Sequence, residues 1–152
     1  MKNFLLIFIF LISDNLLAQE EKNLIDLIYS ELPECEIINY TVSSKNECKA
    51  SIEIPEGSIK EFHGRYINGE ANGEGLMTFR DGTTYSGNFV NNMFEGEAVI
   101  QYSNGDYFAG TVSANRKHGI GKYRNSKGEN NAGLWENDKR ISFIDSDMLS
   151  KA

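Results

Sequence analysis

Glycine recurs in this chain at a fixed step. Gly64, Gly87, Gly110 and Gly133 stand 23 residues apart, and two further registers, Gly73/Gly96/Gly119 and Gly82/Gly105/Gly128, keep the same step. A period of this size means that one supersecondary unit is repeated and stacked on its neighbours, so the chain is an array. Bulky residues keep the phase. Phe62, Tyr85 and Phe108 precede the first glycine of each unit by two positions, and Tyr66, Phe89, Val112 and Trp135 follow it by two. The units run 62–84, 85–107 and 108–130, and a truncated copy follows at 131–140. Ala50–Gly57 aligns with Gly75–Gly82, so a half copy precedes them and Cys48 falls where later units carry Gly73.

Inside a unit, Phe62, Gly64 and Tyr66 alternate with His63, Arg65 and Ile67, and Gly75, Met77 and Phe79 alternate with Leu76, Thr78 and Arg80. Period two is the signature of a strand. Asn68-Gly69, Asn72-Gly73, Asp81-Gly82 and Asn104-Gly105 supply the positive φ of tight turns between strands. The expected fold is all-β, a single elongated, twisted antiparallel sheet of consecutive β-hairpin repeats. One face collects Tyr66, Phe79, Phe89, Tyr102, Tyr123 and Trp135 together with Phe62, Met77, Tyr85, Ile100, Phe108 and Val112. A single layer buries less apolar surface than two, so the first six of these are a candidate interaction surface, with mutual packing as the alternative.

The N-terminus reads as a secretory signal peptide over residues 1–18. Lys2 gives the charge, Phe4–Ile12 the apolar stretch and Ala18 the small residue at the cleavage point. The apolar run is shorter than the roughly 20 residues that span a bilayer, and an uncleaved anchor is the alternative. Export places Cys35 and Cys48, the chain's two cysteines, where a disulfide forms, with two free thiols as the other possibility. Leu24, Leu27, Ile28 and Leu32 have helical spacing before Pro33 and suggest a short N-terminal capping helix. The organisation is then a cap over 19–49, the repeat sheet over 50–140 and a tail over 141–152, in which Phe143 and Ile144 are the apolar residues.

Phe62-His63-Gly64-Arg65-Tyr66, Gly73-Glu74-Gly75-Leu76, Asp81-Gly82 and His118-Gly119-Ile120-Gly121 resemble the MORN (membrane occupation and recognition nexus) repeat. The resemblance runs from about 50 to 140. Ala98 in place of a glycine, Asn125 in place of the ring of Phe79 and Tyr102, and a last unit with only its first strand depart from it. It implies protein–protein contacts and, for some arrays, acidic phospholipid.

The residues offer little chemistry beyond contact. The two histidines, His63 and His118, fall at surface and turn positions, and Glu95 and Glu97 flank a glycine taken as a turn, so no catalytic constellation assembles. Two cysteines without a nearby histidine leave a zinc shell incomplete, and the glycine pairs open no helix that would hold a nucleotide phosphate. No enzyme, metal or cofactor is expected. A net charge of −7 argues against nucleic acid. The third unit alone is basic, and Arg116, Lys117, Lys122, Arg124 and Lys127 form a candidate patch for an anionic ligand. The leading expectation is an exported interaction or scaffold module for a protein partner, and the alternative is a peripheral binder of anionic lipid.

Overall fold

The computed structural model describes residues 14–144; the apolar stretch of the expected signal peptide and the tail from 145 onward lie outside the described residues. Helix α1 spans Asp14–Ile28. The strands are β1 (Ile37–Ile38), β2 (Thr41–Val42), β3 (Cys48–Glu53), β4 (Ile59–Ile67), β5 (Glu70–Phe79) and β6 (Thr84–Val90). They continue as β7 (Met93–Gln101), β8 (Tyr107–Ser113), β9 (Arg116–Arg124), β10 (Asn130–Glu136) and β11 (Lys139–Phe143). β1 and β2 make a small hairpin, and β3 to β11 form one open nine-stranded antiparallel sheet in chain order.

A line of small residues crosses this sheet. Gly64 pairs with Gly75, Gly75 with Gly87, Gly87 with Ala98, Ala98 with Gly110, Gly110 with Gly121 and Gly121 with Gly133. The rings lie over this trough. A methyl group on Gly121 would sit 2.5 Å from the Phe108 ring, and one on Gly110 only 2.4 Å from the Cα of Gly121. Without side chains on the line, rings fold flat across neighbouring strands and meet edge to face, as Phe62 and Phe89 do at 4.8 Å. All twelve residues assigned to the aromatic face from the sequence belong to one hydrophobic cluster. Tyr85, Phe89 and Phe108 have no exposed surface, so a single layer has closed over its own core.

Of the expected turn dipeptides, Asn68-Gly69, Asp81-Gly82 and Asn104-Gly105 lie in turns, whereas Asn72-Gly73 does not. Asn68-Gly69, Asn91-Asn92, Ala114-Asn115 and Asn137-Asp138 all have left-handed φ and close β4–β5, β6–β7, β8–β9 and β10–β11 in two-residue turns. Asn72-Gly73 is inside β5. Gly73, Gly96 and Gly119, with φ of 96°, 80° and 84°, mark bulges where the pairing register shifts, so Glu95, Glu97 and His118 are strand residues. Successive turns are locked together. Asn92 N–H donates to the Ala71 carbonyl while Ala71 N–H donates to Asn92 Oδ1; the pairs Asn115–Phe94 and Asp138–Lys117 repeat both bonds.

Helix α1 lies across the polar face of the sheet. Ile25 and Glu21 are buried, while Leu27 and Ile28, two of the residues whose spacing suggested the helix, are exposed, Leu27 by 72%. Lys22 Nζ reaches Glu61 Oε1 at 2.9 Å and Ser51 Oγ at 3.2 Å, and the Glu74 amide donates to Tyr29 Oη at 2.7 Å. His63, expected at the surface, is 7% exposed, with Nε2 3.3 Å from Asp26 Oδ1. The helix settles there because Leu76 and Val99 interrupt the polar face and both are buried. The N-terminal edge is covered separately. Cys35 and Cys48 are disulfide-bonded, and the tethered segment pairs with β3 through Cys35 N–H to Lys49 O and Lys49 N–H to Pro33 O, both 2.9 Å.

Candidate functional site

Of the six candidate surface rings, Tyr66, Phe89 and Trp135 are core, at 8%, 0% and 9% exposure, and have little or no area to offer a partner. Phe79, Tyr102 and Tyr123 pack on the cluster's rim and stay partly open. Tyr123 donates its hydroxyl proton to Asp106, which pushes the Tyr123 pKa up to about 12 and lowers that of Asp106. Tyr102 and Tyr123 lie 6.3 Å apart, and Tyr123 and Trp135 6.2 Å, so the open rim continues into the buried ring at the C-terminal end of the array.

The five cations of the third unit do not share a surface. Lys122 and Arg124 lie two apart on β9, on the polar face with Ala109 and Tyr107, and the Arg124 guanidinium sits 5.8 Å from the Tyr107 ring. Arg116 begins β9 beside the Ala114-Asn115 turn, whereas Lys127 lies in the turn beyond its other end. Lys117 points to the aromatic side. Its Nζ lies 5.5, 5.8 and 5.4 Å from the Tyr102, Phe108 and Trp135 ring centres, and it donates to Tyr102 Oη at 3.1 Å. The bulge at Gly119 causes this by shifting the phase of β9 between Lys117 and Lys122.

A residue missed by sequence reading joins it. Arg140 is one repeat step beyond Lys117, as Phe94 and Ala71 are one and two steps before it. Tyr66 pairs with Ala71, Phe89 with Phe94, Val112 with Lys117 and Trp135 with Arg140, so the same site in each hairpin carries these four. The stem of Arg140 occupies the space left by Gly133, and its guanidinium lies 4.1 Å from the Phe143 ring centre. The 23-residue step was the available signal, but the last unit was read as ending at its first strand.

That unit does have a second strand, β11, which carries the sheet past the expected boundary at 140. Among the described residues nothing pairs with its outer edge. Ile141 is 55% exposed and Phe143 79%, so this edge combines free backbone with apolar side chains. Among the described residues no cluster of histidine, cysteine and carboxylate could hold a metal ion, and no helix is long and apolar enough to cross a membrane.

An open array of hairpins stacked through a shared ring face, with the outer edge of its last strand unpaired among the described residues, defines a class of repeat protein. The MORN repeat model matches at 62–84, 85–107 and 108–129, so these three consecutive units are similar to MORN repeats. Repeats of this family are generally non-catalytic and serve protein or lipid interactions. No curated protein matches the chain.

Proposed function

We propose that this is an exported, non-catalytic interaction module that binds a protein partner at the C-terminal end of its array, where an extended segment adds to β11. The carrying observation is the asymmetry of the two edges. The disulfide-tethered segment pairs with β3 at Lys49, whereas β11 is bare among the described residues and bears Ile141 and Phe143. Unpaired strand edges are templates for strand addition, and apolar side chains at such an edge add area to the main-chain bonds. The disulfide is consistent with an oxidising compartment and with residues 1–18 acting as a signal peptide. The partly open rings Phe79, Tyr102 and Tyr123 extend the surface inward.

The test is affinity capture from the exported fraction with the chain from Gln19 onward, in parallel with Ile141→Lys and Phe143→Lys. Both side chains are exposed, so folding should be unchanged, and a partner retained by the unaltered chain should be lost by both variants. Equal capture by all three removes the edge from the reading. Anionic phospholipid is the second reading, favoured only by Lys122 and Arg124 sharing the polar face. It requires co-sedimentation with acidic vesicles that reversal of both to Glu abolishes.

A further inference from the structure

The hairpin site shared by Ala71, Phe94, Lys117 and Arg140 changes character along the array. Ala71 is buried, and Phe94 stacks on Tyr85 at 3.8 Å. The fold is served there by apolar groups, and a cation at the same site is not needed for packing. Yet the last two hairpins place an ammonium and a guanidinium there, on either side of Trp135. Each gives up hydration to stand among rings, which cation–π attraction offsets only in part. Lys117 retains Tyr102 Oη and, at 3.8 Å, the Asp138 carboxylate, which already accepts the Lys117 backbone N–H. Arg140 Nη1 is buried with no acceptor. A guanidinium donor without an acceptor beside a ring is the complement of an anion.

The position of these cations decides which anion. Lys117 lies on β9, two strands inward, whereas Arg140 is on β11, the strand whose outer edge nothing pairs with among the described residues. A strand added to β11 directs every second side chain to the aromatic face, next to Arg140 and Phe143. We infer that Arg140 selects an acidic residue in the partner strand, whose carboxylate meets the guanidinium on the aromatic face while neighbouring apolar side chains meet Phe143. The inference rests on strand addition at β11. A flat anionic membrane is a poorer fit, since Lys117 is recessed, with 16% of its side chain exposed, and the chain carries a net charge of −7.

Trp135 is the chain's one tryptophan, so its emission reports on this site. The experiment selects extended peptides from a random display library on the purified chain, then titrates the best of them against Trp135 emission. The expected result is one fixed acidic position with apolar residues two away on either side. Replacing that acid by its amide should weaken binding at least tenfold. Arg140→Gln should bind acid and amide peptides alike, Lys117→Gln should keep the preference, and Arg140→Lys should keep most of it. Selected peptides that bind at β11 with no acidic preference overturn the inference and leave strand addition standing. Failure to select any peptide, or an emission change with phosphatidylglycerol vesicles alone, overturns both.

Discussion

Ala114 holds a left-handed backbone, φ 48°, at a turn position where the other hairpins have Asn68, Asn91 and Asn137. A Cβ without a polar group to bond locally makes this conformation cost about 1 kcal/mol, and asparagine tolerates it better. Ala114→Asn should therefore raise stability by about 0.5–1 kcal/mol in urea unfolding. Glu21 is a second strained residue, electrostatically rather than sterically. Burial under the helix pushes its pKa up to about 7 from 4.5, against the opposing hydrogen bond from Ser86. An acid whose folded pKa is raised contributes stability below its unfolded value and loses it as pH rises through the folded one. His63 acts the other way. Burial lowers its pKa, against the attraction of Asp26, so its contribution is present above the ordinary histidine value and fades as pH falls. Glu21→Gln should remove the alkaline loss, and the variant's unfolding midpoint should rise between pH 5 and 8 where the unaltered chain's rises less or falls. Neither group stands out in the sequence. His63 sits on the outward phase of its strand, and only the docking of α1 takes it from water.

Glycine acts in these strands and turns through two separate mechanisms, and one substitution distinguishes them. At Gly110 a methyl group would meet backbone of the next strand at 2.4 Å, which cannot be relieved by a rotamer change, so Gly110→Ala should cost about 3 kcal/mol. At Gly128 nothing lies within 4 Å, but φ is +86°, so Gly128→Ala should cost about 1 kcal/mol. Thermal unfolding of the pair checks the difference. Reduction of Cys35–Cys48 should cost roughly 3 kcal/mol by restoring freedom to the unfolded chain. It should also free the edge of β3, seen as faster amide exchange at Cys48–Glu53. The strands were legible from alternation, and the half copy before the first full unit from its alignment. The turns were partly misplaced because Asn-Gly serves a bulge as well as a turn: both need positive φ, and the dipeptide does not say whether the chain then reverses.

Across the whole molecule, stability follows neighbours. Interior strands are held on both sides, and β3 to β6 gain the helix or the tethered segment besides, whereas β11 ends the described array with one partner, β10. Amide exchange should therefore be slowest in β5 to β8 and fastest in β11, and Asn115→Ala, which removes one turn-to-turn lock, should loosen β9 to β11 before the rest. Uniform exchange across the sheet would contradict this. The period, the alternation and the identity of the ring face were all present in the linear chain, since each is set within about one 23-residue unit by backbone φ and side-chain phase. That the face would close over its own rings, that α1 would lie on the polar side, and that Lys117 would turn from the other cations to join Arg140 came only with the folded sheet. Those outcomes depend on bulges that shift phase part-way along a strand and on which surfaces are left for distant segments to cover, sums over contacts that no single unit contains.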